Sequence, residues 1–259
     1  MRYGFVLPGG TATEQLEQAV LAEQAGWDGV FVWDHMAYRP PVVDIADPWI
    51  TMAAMAAATE RVRIGPMVTP VPRRRPWKLA REVASLDRLS GGRVTFGVGL
   101  GGDPGRELSA LHEESDPKRR ATLLDEGLEV CVAAWSGEEV HYRGEAFTVD
   151  GLRFGPRPVQ LPHPPVWVAG RWPNKAPLRR AVRWQGYFPV QVDEPEQLGE
   201  LVDAMGPTPS GFDVAVDGPA GRDPRPFAAV GVTWWLVGFS PFDVTADEAR
   251  AVARAGPPQ

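Results

Sequence analysis

The segment Gly29-Val30-Phe31-Val32-Trp33-Asp34-His35 decides the fold class of this chain. Its first four residues form a short apolar run, which is typical of a strand buried in a parallel sheet. The run follows a helical pattern that ends at Ala25-Gly26, where glycine can adopt the left-handed conformation that ends a helix. Because α/β proteins place their chemistry just past the carboxyl ends of such strands, Asp34 and His35 predict a site on the rim of a parallel barrel.

The same alternation of helices and strands continues along the whole chain. Thr11 and Glu14 have the spacing of a capping box, and Asp47-Pro48 has the pattern of an N-cap followed by a proline. Strands are predicted at residues 1–8, 29–32, 62–70, 94–98, 165–170, 187–190, 212–216 and 232–237. Eight strands that alternate with helices predict a single (β/α)8 TIM barrel domain over residues 1–259. Residues 206–231 are rich in proline and glycine, so the seventh helix should be short.

The helix that follows the third strand has a pattern that predicts its buried face. It should begin at Pro76, because proline is favoured at the first position of a helix. The spacing of its apolar residues predicts that Leu79, Val83, Leu86 and Leu89 face the barrel.

Composition limits the class of protein further. Of the 259 residues, 44% are apolar, which is enough for a sizeable core, but no stretch is long and apolar enough to cross a membrane. The net charge of −6, with acids and bases mixed along the chain, argues against a nucleic-acid surface. A lone cysteine, Cys131, excludes an internal disulfide and fits a reducing cytoplasm, and its helical apolar neighbours predict a core position.

Three short motifs carry candidate chemistry. Residues 97–102 match G-x-G-x-x-G, but no helix is predicted before about Lys118, so we interpret them as a glycine wall that a flat ring can approach. Gly170-Arg171-Trp172 precedes a predicted helix and is open to two interpretations, a phosphate site or a solvated loop. Arg73-Arg74-Arg75 follows the third strand and is likewise either a contact for an anionic ligand or a solvated lead-in to a helix. No zinc-ligand spacing, G-x-S-x-G elbow or Walker loop is present.

Taken together, these stretches resemble the luciferase-like monooxygenase family of flavin-dependent oxidoreductases. The matching segments are residues 25–35 (AGWDGVFVWDH), 86–94 (LDRLSGGRV), 97–99, 124–128 and 165–172 (PVWVAGRW), and the ending at 231–236 and 256–258 is also similar. The segments span nearly the whole chain in order, so the resemblance is more specific than any single motif.

The resemblance implies a barrel that binds FMN, or its deazaflavin analogue coenzyme F420, at the carboxyl-end rim. It implies that His35 is the catalytic residue and handles protons near the reactive face of the ring. It also implies that Met67-Val68-Thr69 backs the ring and that Gly170-Arg171-Trp172 holds the cofactor phosphate. The remaining cofactor-binding residues that it implies are Trp33, Asp34, Gly99 and Leu100.

This chain departs from the family in two places. Some deazaflavin-dependent members carry a catalytic glutamate just after the fourth strand, roughly where Gly101-Gly102 stand here. The region after the seventh strand, which often carries a lid, is also short. Two reactions on a small organic substrate therefore stay open: monooxygenation with reduced FMN and oxygen, and hydride transfer from reduced deazaflavin. The alternatives are a non-catalytic flavin-binding protein and a flavin-independent phosphate-binding barrel enzyme.

Two partners are expected besides the substrate. No nicotinamide-binding domain is visible, so the reduced cofactor should come from a separate flavin or deazaflavin reductase. The helix over residues 49–58 is apolar nearly all round, which predicts a homodimer in which a second copy covers its outer face. The alternative is that Met52 and Met55 both face inward and that small alanines face solvent.

Overall fold

Parallel strands form a nearly closed barrel that helices surround, as predicted. The computed structural model describes residues 1–42 and 44–258; residues 43 and 259 of the predicted single domain lie outside this range. The parallel strands are β1 Arg2–Val6, β2 Gly29–Val32, β3 Arg63–Pro66, β4 Thr69–Pro70, β5 Phe96–Gly99, β8 Val166–Arg171, β9 Gly186–Val190, β10 Asp213–Pro219 and β11 Trp234–Gly238. A separate antiparallel hairpin consists of β6 Glu139–Arg143 and β7 Thr148–Arg153.

The barrel has eight strand positions because β3 and β4 are two halves of one strand. The order of the nine parallel strands is β3-β2-β1-β11-β10-β9-β8-β5-β4. β3 bridges to the residues before β5 through Ile64 and Val94, while β4 pairs with β5 itself. The predicted third strand at residues 62–70 is therefore interrupted at Met67–Val68, where the peptide bond is cis. Because β3 and β4 belong to one strand, the first and last strands in this order coincide, and the sheet nearly closes on itself.

The helices pack around the outside of the barrel, and their predicted caps are confirmed. Thr11 and Glu14 form a reciprocal capping box, and the Asp47 carboxylate accepts hydrogen bonds from two backbone N–H groups at 3.0 Å. Such a cap stabilises a helix by about 1 kcal/mol. None of the helices in the described part of the chain is both long and apolar enough to cross a membrane. The helices are α1 Ala12–Gln24, α2 Pro48–Ala58, α3 Pro76–Leu89, α4 Pro117–Trp135, α5 Lys175–Ala181, α6 Pro195–Met205, α7 Arg225–Ala229 and α8 Ala246–Ala255.

Two details of the helices test the sequence patterns. The seventh helix is short, as predicted, because α7 contains only 5 residues. The prediction that Leu89 faces the core is wrong, since its side chain is 53% exposed whereas Leu79 and Leu86 are buried. Leu89 lies about 80° around the helix from Leu79. It is also the last helical residue before the turn at Gly91, so its side chain faces solvent.

Side chains on the two faces of the barrel strands form separate apolar clusters. The outer face packs against the helices and includes Cys131, which is buried as predicted. Inside the barrel, the ring centroids of Trp167 and Trp234 are 5.4 Å apart, and Phe31 lies 5.8 and 5.9 Å from them. These rings fill the interior, and the half-buried apolar side chains that pack against them lie toward the carboxyl ends of the strands.

Candidate active site

The barrel opens at the carboxyl ends of its strands, and this opening, the mouth, has an apolar wall. Trp33, Val68, Ala169 and Val190 are half-buried side chains that pack on top of the interior cluster. Gly99 completes the wall, and a Cβ atom there would lie only 2.9 Å from Val68 Cγ2. The lack of a side chain at Gly99 keeps the wall flat, so a planar ring can approach the backbone.

Other predicted residues at the rim have different surroundings. Met67 lies in the interior cluster beneath the wall. Leu100 and Trp172 are half-buried against the outer, helix-facing cluster, and Gly170 packs against α5. Arg171 occupies the inner face of β8 by strand alternation, and it is exposed. Of these residues, Arg171 is the one whose side chain can reach an anion bound at the mouth.

Asp34 is buried in an ion cluster directly behind the mouth. Its carboxylate accepts hydrogen bonds from Thr69 Oγ1 at 2.8 Å, from Arg73 Nη2 at 2.8 Å and from Arg74 Nη2 at 2.7 Å. Arg73 and Arg74 therefore pair with a carboxylate of the chain itself. Neither interpretation of the arginine run included such an ion pair. The charge-assisted hydrogen bonds hold the end of β2 against the segment that leads into α3.

His35 is held by Glu107, a residue that the sequence analysis missed. His35 Nδ1 lies 2.9 Å from Glu107 Oε2. The same carboxylate accepts hydrogen bonds from Arg73 Nη1 at 3.0 Å, from the N–H of Ala37 at 3.0 Å and from the N–H of Met36. The Glu107 side chain is 1% exposed and that of His35 is 25% exposed. One nitrogen of the imidazole thus has a buried partner, while the ring stays accessible at the rim.

A tight turn after β5 brings Glu107 to His35. Asp103 shapes this turn by accepting hydrogen bonds from two backbone N–H groups at 2.8 and 3.3 Å. Gly105 passes so close to the loop after β2 that a Cβ atom would lie 2.4 Å from the carbonyl oxygen of Ala37. A glycine two residues before a glutamate, in a loop that follows a barrel strand, is the local signal that could have found Glu107.

The protonation state of Glu107 fixes the tautomer of His35. Burial alone would raise the pKa of Glu107, but hydrogen bonds from His35 and Ala37, with the charge of Arg73, lower it to about 2. An ionised carboxylate can only accept, so His35 Nδ1 is the donor. Nε2 of the neutral ring then carries the lone pair, and no group among the described residues donates to it. Nε2 is therefore the atom that can accept or release a proton at the mouth.

Two aromatic rings lie close to His35. The ring centroid of Tyr38 lies 5.1 Å from that of His35, and Trp33 lies 6.3 Å away at an interplanar angle of 88°. Phe242, from the segment after β11, lies 5.8 Å from Tyr38. These rings give His35 an apolar surrounding, which limits the access of water to it.

Acid should weaken the fold through Glu107. The pKa of Glu107 is lowered from 4.5 to about 2. Glu107 therefore stabilises the folded state fully above pH 4.5, and this contribution is lost as the pH falls through about 2. The difference corresponds to about 3 kcal/mol. We expect Glu107→Gln to lower the free energy of unfolding by up to about 3 kcal/mol at neutral pH and to flatten its dependence on acid. Urea unfolding across the acid range measures both effects, and exposed Glu138→Gln is the control. An unchanged acid dependence in Glu107→Gln would contradict this assignment.

A second concave space lies outside the barrel. It has a volume of about 650 Å³ between α3 and β7, and its walls include Trp77, Arg81, Leu152 and Phe154. No predicted site residue lines it, so the barrel mouth remains the candidate active site.

Within residues 1–42 and 44–258, no three His, Cys, Asp or Glu side chains come together as metal ligands.

The chain is similar in sequence to proteins of one family. The sequence model of the luciferase-like monooxygenase family matches residues 2–255. An uncharacterised protein of Mycobacterium tuberculosis is 34% identical over 275 residues, which cover 97% of this chain and 95% of that protein.

Two relatives with named activities are similar over part of their length. An F420-dependent glucose-6-phosphate dehydrogenase of Microbacterium testaceum is 33% identical over 72% of this chain and 55% of its own. The oxygenase component of a flavin-dependent trigonelline monooxygenase of Acinetobacter baylyi is 30% identical over 62% of this chain and 44% of its own. This chain therefore matches about half the length of these two enzymes.

Solved structures share the barrel. Monooxygenase RslO1 from Streptomyces bottropensis matches 98% of this chain and 97% of its own with a TM-score of 0.81 at 22% identity. An F420-dependent secondary alcohol dehydrogenase, bound to an F420-acetone adduct, matches 83% of this chain and 68% of its own with a TM-score of 0.73 at 26% identity. The FMN complex of the oxygenating constituent of 3,6-diketocamphane monooxygenase from Pseudomonas putida matches 85% of this chain and 67% of its own, with a TM-score of 0.69 at 20% identity. The first and third of these likenesses show the fold alone.

Proposed function

Because the chain belongs to the luciferase-like monooxygenase family, we propose that it is a flavin-dependent oxidoreductase that binds FMN or coenzyme F420 at the barrel mouth. The substrate is a small organic molecule. Relatives of both kinds support this proposal, since one is an F420-dependent dehydrogenase and another is a flavin-dependent monooxygenase component. The proposal therefore covers hydride transfer from reduced F420 and oxygen insertion with reduced FMN.

The observation that carries the proposal is the placement of His35. Its Nδ1 is fixed by the buried Glu107, and its Nε2 has no partner among the described residues, at the edge of a flat apolar wall. Proton transfer at a redox ring needs a titratable group that is held in place and stays accessible. The wall at Trp33, Val68 and Gly99 fits a planar ring, because a side chain at Gly99 would clash with Val68.

In this site the cofactor, when bound, would supply the redox chemistry, and the chain would supply position and proton control. Val68 and Gly99 would contact one face of the ring and exclude water from it. His35 Nε2 would accept or release the proton, and Glu107 would keep that nitrogen in the required tautomer. Asp34 and Thr69 lie behind the wall, so we propose that they support the site through the ion cluster rather than by touching the cofactor.

Titration of both cofactors against the purified protein tests the proposed function. FMN and F420 are added separately, each oxidised and reduced, and binding is followed by the absorption and fluorescence of the ring. Riboflavin, which lacks the phosphate of FMN, is the matched control ligand. We expect one of the two cofactors to bind with a defined stoichiometry. The proposal is contradicted if neither cofactor binds in either redox state.

Arg171→Glu should weaken cofactor binding through the phosphate. The guanidinium of Arg171 has no hydrogen bond or ion pair within the described part of the chain, so it is available for an anion. Loss of a charge-assisted contact should cost about 1.5–3 kcal/mol, roughly ten- to a hundredfold in affinity. Arg88→Glu, an equal change of charge on the exposed end of α3, should bind as the wild type does. Unchanged affinity of Arg171→Glu for both cofactors would place the phosphate elsewhere.

We further propose that the reduced cofactor comes from a separate reductase in the reducing cytoplasm. The relative from Acinetobacter baylyi supports the first part, because its name describes one component of a monooxygenase. The buried, unpaired Cys131 is compatible with the second.

We also propose that the protein is a homodimer through α2. Met52 and Met55 are both buried within the chain and Ala57 and Ala58 are exposed, as the alternative to the dimer required, so the proposal rests on Ile50, which is 69% exposed on the outer face. We expect sedimentation at micromolar concentration to give a dimer and Ile50→Glu to give a folded monomer, because a buried interface cannot accept an unpaired charge.

Leu161→Glu is the matched control for the dimer, since Leu161 is 73% exposed and belongs to a loop rather than to α2. This variant should sediment as the wild type does. A wild-type monomer at micromolar concentration would refute the dimer.

A further inference from the structure

Strand β10 places one carboxylate on the inner wall of the mouth. Val214 and Val216 pack in the outer cluster, whereas Ala215 packs in the barrel interior. Because side chains alternate along a strand, Asp217 shares the inward face with Ala215. Gly218 supports this register, since a Cβ atom there would lie 2.3 Å from the outer ring of Trp235.

Asp217 lies at the level where the interior opens. Its direct partner on β11 is Leu236, which belongs to the interior cluster. On the other side, β10 pairs with β9, through Asp213 with Gly186 and Val214 with Tyr187. The residues of the wall at this level, Trp33, Val68, Gly99, Ala169 and Val190, carry no ionisable side chain. Asp217 thus places a carboxylate beside an apolar wall.

The Asp217 carboxylate has no partner among the described residues through which it would stabilise the fold. Among the described residues, no other residue donates a hydrogen bond to it or forms an ion pair with it. Asp217 is exposed in the open mouth, so a ligand can reach its carboxylate. An accessible carboxylate without a partner in the chain is free to pair with a cation on a ligand.

We propose that Asp217 is a substrate-binding residue that pairs with a protonated amine on an otherwise apolar substrate. An ammonium group offsets the charge of the carboxylate, and the apolar wall takes the body of the molecule. This inference rests on the proposed function, because it assigns the substrate of the same mouth.

Arg171, the proposed phosphate contact, lies apart from Asp217 along the rim of the mouth. Arg171 pairs in register with Val190 of β9, and β9 lies between β8 and β10 in the sheet. Two strand spacings correspond to roughly 10 Å. The cofactor phosphate at Arg171 and the amine at Asp217 would therefore occupy different parts of the rim.

Binding of benzylammonium to the cofactor-loaded protein tests the proposal. Benzoate, of the same size and opposite charge, is the control ligand. The variants are Asp217→Asn, which keeps the shape of the side chain, and Asp203→Asn, an exposed position on α6 outside the mouth. Affinity is measured near neutral pH from the change in the cofactor spectrum, and the melting temperature of each variant is recorded.

We expect the wild type and Asp203→Asn to bind benzylammonium more tightly than benzoate. Asp217→Asn should lose roughly two- to fivefold in affinity for benzylammonium, as expected for an exposed ion pair, and its melting temperature should not fall. Equal affinity of wild type and Asp217→Asn for benzylammonium, or no preference of the wild type over benzoate, would overturn the proposal. Ligand-observed NMR gives the same affinity ratio without a cofactor, so failure to bind either cofactor would contradict the proposed function alone.

Discussion

Replacing His35 with alanine is expected to lower turnover by roughly 10²–10⁴-fold while the fold and most of the cofactor affinity remain. The imidazole can move a proton at the mouth through Nε2, and alanine removes it without filling the space. The fold should persist because Glu107 keeps its hydrogen bonds from Arg73 and from the N–H groups of Met36 and Ala37. Turnover is measured per folded molecule as substrate-dependent oxidation of the reduced cofactor, and the melting temperature is measured on the same sample.

A second histidine provides the matched control for this prediction. His141 lies on the hairpin β6–β7, where its side chain is 66% exposed beside Glu139. His141→Ala should therefore turn over as the wild type does. If His35→Ala melts at a lower temperature but keeps normal turnover per folded molecule, His35 is a structural cap and has no catalytic role.

The barrel could be predicted from the sequence because its signals are local. The strand over residues 29–32 is a short apolar run, and the caps at Thr11 and Asp47 depend on residues within one helical turn. Alternation along a strand also predicts that Asp34 and His35 point opposite ways. The structure agrees, since Asp34 is buried behind the mouth while His35 is at its edge.

The partners of these two residues could not be predicted in the same way. Glu107 is 72 residues away from His35 in the sequence, in a loop without periodicity. Arg73 and Arg74 are 39 and 40 residues from Asp34, and nothing local distinguishes a paired arginine from a solvated one. Long-range ion pairs depend on how loops from different strands meet, which only the folded chain determines.

Asp217 was missed for a different reason. The predicted strand ended at residue 216, whereas β10 continues to Pro219. The apolar run stops at Val216 because the barrel interior opens there, so the next inward-facing position, Asp217, is polar. A residue just past the end of an apolar run can thus still belong to the strand, and at the carboxyl rim of a barrel it can face a ligand.

Asp34→Ala should have the largest effect on stability, a loss of about 3–5 kcal/mol in the free energy of unfolding. The substitution leaves Arg73 and Arg74, whose side chains are 4% and 20% exposed, without the carboxylate that they share. Thr69 loses its acceptor at the same time. Urea unfolding at neutral pH measures the loss. Asp203→Ala, on the exposed face of α6, should change the free energy of unfolding by no more than about 0.5 kcal/mol.

A double-mutant cycle with Arg74 tests whether charge pairing causes this loss. Arg74 is the better partner for the cycle, because its hydrogen bonds go to Asp34 at 2.7 and 2.8 Å whereas Arg73 also binds Glu107. In the double variant Asp34→Ala, Arg74→Ala, one of the two unpaired cations is gone. The loss should therefore be smaller than the sum of the single losses by about 0.5–3 kcal/mol. Additive losses would mean that Asp34 stabilises the rim by some route other than its ion pair with Arg74, and the ion cluster would then not be what holds the end of β2 in place.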